Sequence, residues 1–93
     1  MEKQKTTVTV AGKEYTLVSS DSPEYMRRVA AYADRKLRET AAATRLPALQ
    51  ADALAALNLA DELMKAQDEN QRLRRSLRET QEALDRALGE RDT

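Results

Sequence analysis

The chain has 93 residues, enough for one small domain but not for a second that folds alone. The sequence contains neither cysteine nor histidine, which excludes disulfides, thiolate or imidazole metal sites, cysteine nucleophiles and Ser-His-Asp triads. Its 16 basic and 16 acidic residues cancel, and this balance argues against general nucleic-acid binding.

Other features narrow the protein class further. The two glycines are too few for a phosphate-binding loop. Because cysteine and histidine are also missing, we expect no catalytic site, no cofactor and no metal. No apolar run approaches the roughly 18 residues of a membrane span. The first ten residues lack the apolar segment of a secretory signal. The sequence therefore predicts a non-enzymatic cytoplasmic protein with no membrane partner.

A β-hairpin is predicted over residues 6–19, where valines alternate with threonines in the first half. Gly12-Lys13 fits a two-residue turn, with glycine first as type II′ requires. The apolar residues would then share one face as cross-strand pairs, Val10 opposite Tyr15 and Val8 opposite Leu17. Because a lone hairpin is marginally stable in water, this face is expected to pack against another element.

A first helix is predicted over residues 22–44. With Ser22 as N-cap, Pro23 takes the first helical position; with Asp21 as N-cap, Glu24 completes a capping box. The helix is expected to end near residue 44, because the residue before the next proline disfavours the α region. Its apolar stripe recurs at spacings of four, three and four residues: Met26, Ala30, Ala33 and Leu37, with Val29 alongside.

A second, much longer helix is predicted from about residue 48 to residue 88, a stretch without proline or glycine. At 1.5 Å per residue it would span roughly 60 Å. Leucine and alanine recur with the seven-residue period of a coiled-coil seam. Heptad position a holds Leu49, Ala56, Leu63, Asn70, Leu77 and Leu84, and position d holds Asp52, Leu59, Ala66, Leu73, Thr80 and Ala87. Because a monomer would leave the seam leucines in water, we expect self-association.

The first part of this long helix carries a second apolar stripe, formed by Ala53, Leu57, Ala60 and Met64 and widened by Leu54. Residues 48–64 should therefore bury one face against the first helix and the hairpin and another against a partner, whereas residues 65–88 should bury one. We predict a head at residues 1–64 and a C-terminal coiled coil at residues 65–93. The fold class is α+β and mostly helical: a small head, built from an N-terminal β-hairpin and a short helix, with a long C-terminal coiled-coil helix.

Polar residues on these elements admit two interpretations each. Asn70 in the seam either pairs with a partner's amide and sets register or oligomer number, or marks a solvated kink. The first helix is basic, with six bases and four acids between residues 21 and 45. Its bases either form a docking face for an acidic protein or are ordinary solvent-facing side chains. Lys13 is expected to be exposed because it lies at the hairpin tip, whether or not it binds a partner.

Three motifs occur in order along residues 6–66: the hairpin VTVAGKEYTL, the helical segment YMRRVAAYAD, and AALNLADEL at residues 55–63. Together they resemble the ZapA family of bacterial Z-ring-associated proteins, and the remaining tail matches only as a coiled coil. The resemblance implies binding to FtsZ, the tubulin-like division GTPase, and bundling of its filaments at the division septum. It also implies homodimers with globular heads, and in longer members homotetramers joined through their rods.

The resemblance also suggests where FtsZ would bind. Relatives carry a basic residue after the hairpin glycine, and Lys13 occupies that position. Arg27, Arg28 and Lys36 are further FtsZ-binding candidates, chosen from local charge rather than from a motif. Asn58, within the third motif, is interpreted as structural and capable of a buried amide contact.

Three functional hypotheses follow. The first is a non-enzymatic FtsZ cross-linker acting as a multivalent oligomer. The second is a generic coiled-coil dimerisation or adaptor module with another cytoplasmic protein partner. The third is a nucleic-acid or membrane-surface binder that uses the arginines of the first helix; neutral net charge counts against it, and a steep salt dependence would identify it.

Overall fold

The computed structural model describes residues 2–91. Its elements, in chain order, are β1 (Gln4–Val10), β2 (Lys13–Ser19), α1 (Pro23–Thr44) and α2 (Ala48–Arg91). The two strands form an antiparallel sheet. This arrangement confirms the predicted α+β class, in which a hairpin and a shorter helix precede a long C-terminal helix. The chain divides into two compact units, Met1–Leu59 and Ala60–Thr93.

The hairpin turns at Ala11-Gly12, one residue earlier than predicted. Both residues have positive φ, 53° and 79°, as a type I′ turn requires. The strand pairs include Val10 with Lys13, Val8 with Tyr15 and Thr6 with Leu17. The predicted pairing is therefore wrong by two residues along β2. Because the shift is even, the four predicted apolar residues still lie on one face.

A hydrogen bond from outside the hairpin explains this register. Ala11 occupies the left-handed region, which costs an alanine roughly 1–2 kcal/mol. Its backbone N–H donates to the Oδ1 atom of Asp34 in α1, with an N–O distance of 2.9 Å. The carboxylate offsets the cost of the left-handed alanine, and Gly12 takes the second positive φ freely. Turn propensity alone does not reveal this contact.

Capping interactions define both ends of α1. The Ser22 side chain accepts a hydrogen bond of 3.1 Å from the backbone N–H of Tyr25, and Pro23 begins the helix. Of the two predicted N-caps, Ser22 is the one formed, whereas Asp21 exchanges hydrogen bonds with the Ser19 side chain. At the other end, Arg45 adopts a left-handed conformation and its N–H donates to the Ala41 carbonyl.

Small side chains form the core of the first unit. The buried residues are Thr6, Val8, Ala30, Thr40, Ala51 and Ala55. The predicted stripe of α1 lies on the inner side: Ala30 is buried, and Met26, Ala33 and Leu37 are half-buried. Among residues 2–91, the least exposed are Ala51 and Ala55, at 1% and 0%. Since alanine has no side chain beyond Cβ, this face of α2 can approach its neighbours closely.

The face of α2 that the single chain buries is centred on Ala51 and Ala55, which belong to neither predicted stripe. Ala51 and Ala55 lie four residues apart on one helix face, and Leu54 and Leu59 beside them are half-buried. The stripe Ala53, Leu57, Ala60 and Met64 is exposed. Alanine, which has no side chain beyond Cβ, occupies the covered positions, whereas the larger Leu57 and Met64 are 66% and 59% exposed.

In the second unit, every described residue from Leu63 to Arg91 is exposed. Polar pairs within one or two turns support this part of α2, including Asp61 with Lys65 (2.9 Å), Glu69 with Arg72, and Gln81 with Asp85 (3.1 Å). The hydrogen bond that Lys65 donates to the Asp61 carboxylate, and then the negative charge of that carboxylate, raise the pKa of Lys65. Exposed pairs of this kind add little stability. Over residues 2–91, the helices lack the combination of length and apolarity that crossing a membrane requires.

Candidate functional site

Lys13 is the first residue of β2 and is exposed directly after the turn. It lies at a groove of about 470 Å³ formed by the hairpin turn, α1 and the first turns of α2. The groove is lined mainly by Tyr15, Leu37 and small residues, and its charged residues are Lys13, Arg38 and Asp52. The candidate Lys13 therefore stands beside an apolar surface and near a second cation, Arg38, that sequence reasoning did not select.

Asp34 of α1 contacts both the hairpin turn and Arg38, which lines the groove. Its Oδ1 atom accepts the Ala11 N–H, and its Oδ2 atom accepts from the Arg38 Nε at 2.9 Å. The Asp34 side chain is 21% exposed, whereas that of Arg38 is 72% exposed. One carboxylate thus contacts both the hairpin turn and a cation of the groove. The four-residue spacing of Asp34 and Arg38 on one helix predicts their ion pair from the sequence. No local pattern predicts the hydrogen bond from the Ala11 N–H.

The other three basic candidates lie along α1. Arg27 lines a groove of about 320 Å³ between α1 and the middle of β1. The Arg28 guanidinium lies 5.6 Å from the centre of the Tyr25 ring, and the Lys36 ammonium lies 5.6 Å from that of Tyr32. These are cation–π contacts between neighbouring turns of α1, in which Arg28 is exposed and Lys36 is half-buried.

The structure does not gather the four candidates into one patch. Arg27 and Lys36 are nine residues, or about two and a half turns, apart and so lie on opposite sides of α1. Lys36 lines a different groove, shared with Leu54 and Asn58 of α2. Arg38, which lines the same groove as Lys13, is ten residues, or roughly 15 Å along the helix axis, from Arg28. Lys13 and the basic residues early in α1 therefore present separate surfaces.

The predicted seam lies on the surface of α2 in the single chain. Leu59 is half-buried, and the other seam residues are exposed: Leu49, Ala56, Leu63, Ala66, Asn70, Leu73, Leu77 and Leu84. The exposed fractions reach 83% for Leu49 and 68% for Leu77. In the second unit, Asn70, Leu73, Leu77 and Leu84 follow the heptad spacing along one side of the helix.

Two further observations concern polar side chains. Asn58 is exposed, so a buried amide contact is not formed within the chain. Across residues 2–91, acidic side chains do not cluster in a way that could hold a metal ion.

Comparison with known proteins identifies the family. The family model "Cell division protein ZapA" matches residues 6–90. The cell division protein ZapA of Halalkalibacterium halodurans is 43% identical over 68 residues, covering 72% of this chain and 75% of that protein. ZapA of Geobacillus kaustophilus is 36% identical over 93 residues, covering 97% and 93%. The solved ZapA mutant dimer from Geobacillus stearothermophilus matches with a TM-score of 0.69 and 34% identity, covering 84% of this chain and 92% of that chain. The resemblance of the three motifs is confirmed, and the chain belongs to the ZapA family of cell division proteins.

Proposed function

We propose that this protein binds FtsZ and cross-links its filaments at the cytoplasmic side of the division septum, acting without catalysis as a homodimer or a larger homo-oligomer. The observation that carries the proposal is the ZapA family match over residues 6–90, which includes both the hairpin and the predicted seam. In this proposal the head, residues 1–64, contacts FtsZ, and the coiled coil, residues 65–93, pairs the chains.

Self-association is supported by the apolar surface that one chain leaves in water. Leu73, Leu77 and Leu84 are between 51% and 68% exposed. Fully burying a leucine side chain gains about 1.5–3 kcal/mol, and roughly half of that gain is still available at each of these positions. The solved relative from Geobacillus stearothermophilus is described as a dimer, and we extend that state to this chain.

Asn70 gives the proposed pairing its specificity. It interrupts the leucines of the seam at heptad position a, where an amide can pair with the amide of a second copy. Leucines tolerate several alignments of two helices, whereas a buried amide without a partner costs about 1–3 kcal/mol. Asn70 therefore favours the alignment and oligomer number in which the amides meet.

Pairing gives the proposed oligomer more than one head, and this is the physical basis of cross-linking. Once one head is bound, the tether holds the other near further FtsZ subunits at a high effective concentration. Weak single contacts can then bridge two filaments. A monomer with an equally strong head would bind FtsZ without bundling it.

Lys13 is the first proposed FtsZ contact, because it follows the hairpin glycine and borders an exposed groove. Arg27, Arg28 and Lys36 remain further proposed contacts, on other parts of α1. An interaction through exposed cations predicts an acidic surface on FtsZ and binding that weakens as salt rises.

The test is sedimentation of FtsZ polymers with and without this protein, with light scattering recorded in parallel. We expect co-pelleting and increased scattering at moderate salt. Lys13→Glu, and separately the double change Arg27→Glu with Arg28→Glu, should reduce co-pelleting while leaving the oligomer intact. The matched control is Arg86→Glu, a charge reversal at an exposed position outside the seam. Wild-type protein that neither pellets with FtsZ nor bundles it would overturn the proposal.

A coiled-coil adaptor for another cytoplasmic protein is the second candidate function. The exposed seam favours it, because the seam supports self-pairing whatever the heads bind. An intact oligomer by analytical ultracentrifugation, combined with no FtsZ co-pelleting, would select this alternative.

A further inference from the structure

We propose that Asp34 is a positioning residue for FtsZ docking, which holds the hairpin turn against α1 so that Lys13 is presented in one place at the groove. This inference rests on the proposed function, since FtsZ binding is the activity that it deepens. The feature that carries it is the hydrogen bond from the Ala11 N–H to the Asp34 Oδ1 atom, termed here the Ala11–Asp34 contact.

The turn contains one residue that does not suit its conformation. In a type I′ turn both central residues have positive φ, which favours Asn-Gly, Asp-Gly or Gly-Gly. Gly12 satisfies the second position, whereas Ala11 at φ 53° occupies the first. With local propensity against it, this turn needs support from elsewhere in the molecule. The Ala11–Asp34 contact is a hydrogen bond to a charged acceptor and provides that support.

Packing contributes little to holding the turn. Ala11, Gly12 and Lys13 are all exposed, in contrast to Val8 further along β1, which is buried. Asp34 itself is mostly shielded, and its second oxygen accepts from Arg38. One oxygen of the Asp34 carboxylate is thus held by Arg38 of the same helix, and the other contacts the turn.

The position of the contact explains why it matters for Lys13. Gly12 alone separates Ala11 from Lys13, and Lys13 shares the groove with Arg38. Asp34 therefore links the backbone just before Lys13 to the side chain of Arg38. Without the contact, the turn would sample several conformations. FtsZ binding would then have to order the turn, and the free energy that this costs would weaken docking.

The first experiment compares Asp34→Ala with Asp34→Asn in the full chain. Alanine removes the acceptor, whereas asparagine keeps an amide oxygen near the position of Oδ1. We expect Asp34→Ala to weaken FtsZ binding about three- to tenfold and to speed hydrogen exchange of the Ala11 amide, and Asp34→Asn to change both less. Arg38→Met is the matched control: it removes the ion pair but leaves the Ala11–Asp34 contact, so exchange at Ala11 should stay slow.

A double-mutant cycle separates positioning from general destabilisation. If Asp34 acts through Lys13, adding Asp34→Ala to Lys13→Ala should cause no further loss of FtsZ binding. A purely structural role, or direct contact of Asp34 with FtsZ, predicts additive losses, and additivity would overturn the inference.

Redesign of the turn provides a rescue. Ala11→Asn creates the Asn-Gly pair that type I′ turns prefer, so in the Asp34→Ala background it should restore FtsZ binding and slow exchange of the amide of Lys13, the last residue of the turn, which a closed turn protects. Restored exchange at Lys13 without restored binding would overturn the positioning role. Wild-type binding by Asp34→Ala would overturn the inference while leaving the proposed function intact. A wild-type protein that does not bind FtsZ would overturn both, so the two failures are distinguishable.

Discussion

The two units of this chain handle their apolar residues differently. The first unit buries Val8, Ala30, Ala51 and Ala55 among its own elements. In the second unit, every described residue from Leu63 onward is exposed, including the seam leucines. Both units contain helix, but among the described residues only the first unit has buried side chains. Helical residues without tertiary packing depend on propensity and on side-chain pairs worth about 0.2–0.5 kcal/mol each.

This contrast indicates how each unit is stabilised. The first unit should respond to changes in its own core at any protein concentration. In the proposed oligomer, the second unit should respond to changes in its seam through assembly, so its stability should depend on protein concentration. Variants in the two regions consequently require different measurements.

The largest effect is expected from charges placed in the seam. Leu73→Glu combined with Leu77→Glu removes four leucines from each proposed dimer, a loss of about 3–6 kcal/mol at the half-available burial of each side chain. The protein should sediment as a monomer at micromolar concentration, while the first unit keeps its strand signal in circular dichroism. Arg75→Glu, an exposed position between the two leucines, is the control and should leave the sedimentation coefficient unchanged. An unchanged oligomer in the double variant would refute the seam.

A bulky side chain in the core of the first unit should give the next largest effect. Ala55→Leu adds volume where the alanine is fully buried, and overpacking of this kind costs about 1–3 kcal/mol. Urea denaturation at fixed protein concentration would measure the loss. The control is Ala53→Leu, which makes the same change at an exposed position of the same helix. Equal stabilities for the two variants would contradict the observed orientation of α2.

Asn70→Leu tests the pairing specificity of the second unit, and it should raise stability where the preceding changes lower it. Replacing the buried amide should raise the stability of the proposed dimer by about 1–2 kcal/mol and broaden the distribution of oligomers. Thermal unfolding and analytical ultracentrifugation would record the two effects. A solvated kink at Asn70, the alternative interpretation, predicts no change in the oligomer distribution.

The smallest effect is expected at the start of α1. Ser22→Ala removes the side-chain acceptor for the Tyr25 N–H and should lower the stability of the first unit by about 1 kcal/mol. Ser20→Ala, two residues earlier and outside the helix, is the matched control. Urea denaturation should separate the two, and equal midpoints would show that the cap contributes nothing.

Much of the fold could be predicted because local chemistry and tertiary structure agree. Ser22-Pro23 begins α1 and Leu46-Pro47 follows its end, and neither signal depends on distant residues. Heptad spacing and the absence of helix breakers predict the long α2. The candidate site was less predictable, because proximity between Lys13 and Arg38 depends on how the hairpin packs on α1.

The sequence by itself determined the element order, the helix boundaries near residues 22 and 44, and the apolar repeat of α2, since each depends on residues within a few positions of one another. Tertiary structure decided the hairpin register, because the Asp34 carboxylate stabilises an Ala11-Gly12 turn that local propensity disfavours. It also decided which face of α2 is buried in the single chain, where Ala51 and Ala55 are covered and the larger Leu57 and Met64 are not. Both outcomes depend on atoms far apart in the chain, and a one-dimensional pattern does not encode their distances.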